Sequence, residues 1–378
     1  MRLAFLSSLL FAVALTAGCA TVPDPSSPET PVGFWVRLTG DAEADARMWD
    51  ELAQARATDL FVETFYHGLM IYPNSNIAPQ RPEWAGQDPL RWAIDEAHAR
   101  GIRLHAWVEC LYLAPDREAY PEIPHTPLLD RARENDWIVR ALNGSQPKRV
   151  FLSPANPQVR DLVTRVCLDI AHRYPDVDGI NLDYIRWPTP GELNIDGARE
   201  GWYDAANLSR FMAATGLDPR EDRSPETLER LRRHSADQVT ALVRMIHTAL
   251  HGLHPSIKVS AAFFSDRDES AARPKAQDWR TWLAEGLLDV ATPMCYAPSR
   301  EGMLEEVQSV VETADEHGIP VWAGLSVHHG TDHPPAAEQL SALQGIGAEG
   351  VVFFSHGWIA EHPAEFLDIG AWFSDNAL

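Results

Sequence analysis

Eight short apolar runs recur along the chain, and the stretches between them carry apolar positions at helical spacing. The runs are GFWVRL (33–38), DLFVETFY (59–66), IRLHAWVE (102–109), VDGINLDY (177–184), IKVSAAFF (257–264), LLDVATPMCY (287–296), IPVWAGLSV (319–327) and GVVFFS (350–355). Such near-continuous apolar runs suit parallel strands covered on both faces. Between them, QDPLRWAIDEAHARG predicts a helix capped by Asp88, with Pro89 in its first turn, Leu90, Ile94 and Ala97 on one face and Gly101 as its stop. SPANPQVRDLVTRVCLDIAHRYP repeats the plan, with Asn156 and Pro157 at the start and Val159, Leu162, Val163, Val166 and Ile170 as the stripe. Eight alternating units predict one α/β domain over residues 32–378, a single (β/α)8 TIM barrel. Its longest connections follow strands three and four, about 110–152 and 185–225, and in this architecture those connections build the walls of a site.

The first twenty residues, MRLAFLSSLLFAVALTAGCA, depart from this plan. One early Arg2, an apolar run from Leu3 to Leu15 and small residues before Cys19 predict an export leader over 1–18, because the run is shorter than the ~20 residues a bilayer-spanning helix needs. LTAGC resembles the lipobox of bacterial lipoproteins. That resemblance implies lipidation of Cys19, a membrane anchor and a cell-envelope location, on the periplasmic face in a Gram-negative cell. ATVPDPSSPETP (20–31) is rich in Pro, Ser and Thr, as a tether between a lipid and a folded domain is. The remaining Cys110, Cys167 and Cys295 form no close pair that would suggest a disulfide framework or a zinc ribbon.

Charge narrows the partners. Acidic residues outnumber basic ones 54 to 32, for a formal charge of −22, so the chain lacks the basic excess that phosphate neutralisation demands and nucleic acid is not an expected partner. No Gly-rich phosphate loop follows the first strand and no Gly-x-Ser-x-Gly elbow occurs, so neither a cofactor nor a serine nucleophile is signalled. His105, His328, His329 and His333 raise the question of a metal, but the first strand lacks the His-x-His pair such a hydrolase commonly uses, and no metal is expected.

The candidate chemistry lies at strand ends. Glu63, Glu109 and Asp183 fall near the C-terminal ends of the second, third and fourth strands, where all three point toward one bowl. Such an acid cluster tunes an acid and a base against each other, as glycoside hydrolysis requires. Each taken alone also fits a helix cap or an ion pair, for instance of Asp183 with Arg186. Asp178, before Gly179 at the start of its strand, reads as a turn residue on the opposite face. Aromatic residues collect near the same strand ends, among them Trp35, Tyr66, Tyr72, Trp107, Tyr112, Tyr184, Trp187, Tyr296, Trp322 and Trp358, as in a cleft that stacks on sugar faces.

Five blocks, FVETFYHGLMIYP, LHAWVE, FLSPANPQVRD, GINLDYIRWP and LDVATPMCY, together resemble the glycosyl-hydrolase-like family 10, in order across most of residues 32–360. The resemblance implies a (β/α)8 glycosidase, often a bacterial lipoprotein, one branch of which acts on peptidoglycan strands stripped of their peptides. By position, Asp183 matches the family's strand-four acid, and Glu63 and Glu109 match the acids of the variant that writes ET-Y and WVE; many members carry Gln and Asn instead. DGINLDYI also resembles the chitinase-type strand-four motif, but Ile185 stands where its catalytic Glu would be. MCY (294–296) resembles the strand-six Met-x-Tyr of acetamido-assisted enzymes.

The expectation is a lipid-anchored glycosidase of a cell-envelope glycan, with Asp183, Glu109 and Glu63 catalytic and Glu109 read as the general acid. Tyr66, Trp107, Asn181, Tyr184, Arg186, Tyr296 and Trp358 are expected to contact the sugar. The alternatives are a glycan-binding lipoprotein without turnover and a hydrolase of another polysaccharide.

Overall fold

The computed structural model of the chain describes residues 30–116, 118–121, 123–193, 201–265, 275–328 and 333–378. The expected leader, Cys19 and the tether up to residue 29 lie outside the described residues, as does His329.

The apolar runs form eight parallel strands: β1 (Val32–Val36), β2 (Asp59–Tyr66), β3 (Arg103–Glu109), β4 (Gly179–Asp183), β5 (Lys258–Phe264), β6 (Val290–Cys295), β7 (Trp322–Ser326) and β8 (Gly350–Phe354). Each pairs with the next, and β1 pairs with both β2 and β8, which closes the sheet into a barrel. A helix follows every strand: α1 (Ala42–Gln54), α2 (Pro89–Ala99), α3 (Pro157–Arg173), α4 (Pro225–Leu253), α5 (Trp279–Ala284), α6 (Arg300–Asp315), α7 (Ala336–Leu343) and α8 (Ala364–Asp375). The caps read from the sequence are present. Asp88 accepts from the Arg91 N–H at the start of α2, and Asn156 accepts from the Gln158 N–H at the start of α3.

Alternation along the strands produces two cores. Trp35, Phe61, Trp107, Ala262, Val290, Trp322 and Val352 form a small cluster that fills the barrel. The intervening residues, such as Phe34, Leu60, Val108 and Leu182, belong to the larger layer shared with the helices. Burying each such large side chain contributes roughly 1.5–3 kcal/mol relative to leaving it exposed. Gly179 is set by this filling, because a Cβ there would lie 2.2 Å from His105 Nδ1.

The connections after β3 and β4 are the long ones anticipated. The first holds a two-stranded antiparallel ribbon (Tyr112–Ala114 with Val150–Phe151) and a helix (Pro127–Glu134); the second holds helices Pro190–Leu193 and Ala205–Thr215. Cys110, Cys167 and Cys295 are buried and unbridged. No helix among the described residues is long and apolar enough to cross a membrane.

Candidate active site

Strand periodicity builds the site directly on the barrel core. Side chains two apart on a strand share a face, so the residues two beyond Trp35, Phe61, Trp107 and Asn181 form the next layer: Arg37, Glu63, Glu109 and Asp183. In the strand register Glu109 pairs with Asp183, while Glu63 pairs with Trp107, one step lower on the staggered strands; Arg37, Glu63 and Asp183 nonetheless lie near enough for their charges to act on Glu109. A bulge in β2 between Glu63 and Phe65 bends the strand where its acid leaves the barrel. One cation and three carboxylates therefore cap a floor of aromatic rings at the C-terminal end of the barrel.

Their hydrogen bonds are unequal. Arg37 grips Glu63 with both arms of its guanidinium, Nε to Oε2 at 2.7 Å and Nη2 to Oε1 at 3.0 Å. Asp183 accepts from Trp107 Nε1 at 2.9 Å and from the Tyr184 N–H at 2.6 Å. Tyr184 is held at φ +47°, a left-handed conformation that a bulky residue seldom adopts. Glu109 is 3% exposed, yet it accepts only a long 3.3 Å bond from the His67 N–H, with His67 Nε2 4.0 Å away.

The protonation states follow from those differences. Burial first, then the like charges of Glu63 and Asp183, push Glu109 well above the usual carboxylate range. Glu63 and Asp183 are also raised, chiefly by burial, but Arg37 opposes the rise at Glu63, and the Tyr184 N–H, Arg186 and Trp107 oppose it at Asp183. Burial, then Arg81 and Arg37, push His67 down to about 4, so its imidazole is neutral beside Glu109 at neutral pH. The Tyr296 phenol is held far above its ordinary value, by burial first and by Asp183 second. It is a neutral hydroxyl beside an acid.

The mouth is walled by rings. Tyr184 stacks on Tyr112 at 4.8 Å, Tyr296 stacks on Phe354 at 5.9 Å, Trp358 meets Phe354 edge-on at 5.1 Å, and the Arg81 guanidinium lies 3.9 Å over Tyr66. Of the residues expected to contact sugar, Tyr66, Tyr184, Tyr296 and Trp358 are in this wall and partly exposed.

Three others are held by partners within the protein. Asn181 is fully buried one layer down, where it accepts from Trp35 Nε1 at 3.2 Å and donates to Ser260 and Thr292. Trp107 is 1% exposed and acts on Asp183 through its N–H, not on a ligand through its face. Arg186 is buried in a two-armed pair with Glu192 at 2.7 and 2.9 Å, its guanidinium 4.8 Å over the Tyr184 ring. It supports that ring from behind. Among the wider aromatic set, Trp35 and Trp322 fill the barrel, Tyr72 bonds Asp169, and Trp187 bonds the Ser235 carbonyl.

The histidines weighed as ligands are dispersed. His105 bonds Asp59 at 2.9 Å in the lower barrel, His328 packs on Trp358, and His333 bonds the Tyr296 carbonyl. No group of three His, Cys, Asp or Glu suited to a metal ion occurs among the described residues. Asp178 accepts from the Leu104 N–H and His98 at the strand-start end, away from the mouth.

Sequence reasoning passed over Arg37, His67 and Arg81. Arg37 was signalled: it continues the inward register Gly33, Trp35, and a charge in that register faces the bowl. The other two lie in the loop after β2, where no periodicity assigns a direction.

Comparison with known proteins identifies the family and the fold. Residues 42–336 match the family described as glycosyl hydrolase-like 10. Glycosyl hydrolase DigH of Escherichia coli (strain K12) is 27% identical over 276 residues, covering 66% of this chain and 56% of that protein. Glycosyl hydrolase YngK of Bacillus subtilis (strain 168) is 24% identical over 226 residues, 56% of this chain and 39% of its own length. The chain thus spans about half the length, or less, of these curated relatives. The glycoside hydrolase domain of PgaB (BpsB) from Bordetella bronchiseptica superposes with a TM-score of 0.64 at 15% identity, covering 89% of this chain and 97% of that one, a likeness of fold. With the match extending over most of the barrel, this chain belongs to the glycosyl hydrolase-like 10 family.

Proposed function

We propose that the chain is an exported, lipid-anchored glycosidase that cleaves a cell-envelope glycan, with peptide-free peptidoglycan strands as its substrate. The observation that carries the reading is the division of labour among three carboxylates in one bowl. Glu109 is buried with little hydrogen bonding, and burial with the charges of Glu63 and Asp183 favours its protonated form, the form a general acid needs to protonate a leaving glycosidic oxygen. Asp183, bonded by Trp107 and Tyr184, is fixed in orientation and nearer to ionised, suited to the developing positive charge or to an attacking group on the other side of the bond. Glu63, its side chain buried and both oxygens held by Arg37, limits the negative charge the bowl must hold, and the half-exposed Arg37 is the member of the pair open to sugar hydroxyls.

The Tyr296 phenol beside Asp183 adds a specific feature. A neutral hydroxyl and a carboxylate in one bowl can together serve an N-acetyl group, whose carbonyl accepts and whose N–H donates. That pairing supports an N-acetylated sugar at the cleavage point. The names of the relatives, both glycosyl hydrolases, support the reaction class. The LTAGC sequence supports the anchor and the envelope location.

The test is incubation of the chain from Ala20 onward with peptide-free and peptide-bearing peptidoglycan, products being read by mass spectrometry beside Asp183→Asn. Soluble saccharides from the peptide-free strands alone, absent with Asp183→Asn, are the expected result. Binding without products would move the reading to a glycan-binding lipoprotein, and cleavage of a different polysaccharide would replace the substrate.

A further inference from the structure

A second aromatic site lies outside the barrel. Between α1 and α2 runs an open groove of about 640 Å³ lined by Trp49, Trp84 and Trp92. That volume is within the range of small-ligand sites, about 300–1,000 Å³. Trp92 supplies the accessible face at 37% exposure, while Trp49 and Trp84, at 3% and 4%, form the buried walls. Trp92 meets Trp49 edge-on at 6.1 Å. Trp84 is covered by the loop after β1, where Gly40 takes φ +79° and a Cβ would lie 3.3 Å from the indole ring. Glycine is needed there for the backbone and for the ring.

The polar lining is acceptor-rich. Asp50, Asp88, Glu96 and Gln87 border the groove, and Arg100 is its one basic lining residue, with its guanidinium bonded to Glu96 at 2.6 Å and 5.0 Å from the Trp49 ring centre. Trp49 Nε1 is buried with no acceptor among the described residues. An accessible indole face flanked by carboxylates matches a pyranose, which offers an apolar C–H face for stacking and hydroxyls at its edge. The excess of carboxylates disfavours a sugar carrying its own carboxylate.

Position ties the groove to the bowl. Its two covering loops leave the catalytic face: Gly40 is three residues beyond Arg37, and Trp84 is three beyond Arg81, which stacks on Tyr66 at the mouth. We propose that this groove is a distal subsite that holds an uncharged sugar unit of the same glycan strand whose cleavage point occupies the bowl. The proposal rests on the glycosidase reading and adds a length requirement: a long strand engages both sites, and a disaccharide engages only the bowl. Bivalent engagement raises affinity for the polymer without new contacts at the reacting bond.

The experiment is titration calorimetry on the full-length chain carrying Asp183→Asn, with the N-acetylglucosamine hexamer and dimer as probes. Adding Trp92→Ala is expected to weaken hexamer binding by about fivefold, the order of one lost aromatic stacking contact, and to leave dimer binding unchanged. Trp92→Tyr, which keeps a ring, restores hexamer affinity. Equal hexamer affinities with and without Trp92 would overturn the subsite, as would a hexamer that does not bind at all. Failure of the hydrolase reading is separate: a hexamer signal that drops with Trp92→Ala, from a wild-type chain that cleaves no glycan, keeps the groove and removes the enzyme.

Discussion

Strands β2 and β3 each carry ionisable residues at two heights of the barrel, and the two heights behave oppositely. Below, Asp59 is fully buried but saturated. It accepts from Arg103 at 2.8 and 2.6 Å, bonds His105 at 2.9 Å and accepts from the Thr58 hydroxyl at 2.7 Å. Burial alone would raise its pKa, yet these partners, His105 and then Arg103, hold it below the ordinary aspartate value. Above, Glu109 has comparable burial and one long bond, and it rises well above the usual range. At comparable depth, hydrogen-bond donors and the sign of the neighbouring charges decide whether a buried carboxylate anchors the fold or stays available to exchange a proton.

The contrast is broken most directly at Glu109. Glu109→Gln is expected to lower kcat/KM on peptide-free strands by roughly 10³-fold, within the span of general-acid contributions, while thermal unfolding holds or improves because a buried acid is removed. Asp59→Ala is the converse. Urea unfolding is expected to show a loss of about 3–5 kcal/mol, as for other broken buried pairs, with activity per folded molecule unchanged.

The pH dependence sharpens the same comparison. Glu109 has a folded pKa raised above the unfolded 4.5, so its contribution to stability is intact below that value and is lost as pH climbs toward the folded pKa. Asp59 is depressed from 3.8, so its contribution is present above that value and disappears as pH falls through the lower folded pKa. His67, lowered from 6.5 to about 4, costs stability as pH drops across that interval, since the unfolded chain takes the proton first. Unfolding free energies measured across pH are expected to fall less steeply on the alkaline side in Glu109→Gln and less steeply between pH 6.5 and 4 in His67→Phe. The smallest effect is expected for Arg103→Met. Half of that side chain is exposed and His105 and Thr58 remain on Asp59, so urea unfolding should register about 1 kcal/mol.

Much of this was legible in the sequence because the barrel is written in short-range pattern. Strand runs, the caps Asp88 and Asn156, and the acids at strand ends all follow from spacing within a few residues. Three of the expected contacts lie deeper or are engaged by other side chains, for a reason of height or of partner. Asn181 and Trp107 share the inward face with Asp183 and Glu109, but two residues along a strand is about 7 Å, enough to move a side chain from the mouth into the packed layer. Arg186 stands three residues past Asp183 and looks free, but Glu192 folds back on the following turn and takes both its arms. His67 and Arg81 are directed by a loop whose path depends on the tertiary fold, and Arg37 was readable from register alone.

The role of Glu109 is tested most directly by an infrared titration of the protein against its Glu109→Gln variant. A protonated-carboxyl band at neutral pH is expected in the wild type and is missing in the variant. A Glu109 seen only as carboxylate in mildly acidic solution would contradict it, and the general-acid role would pass to another residue.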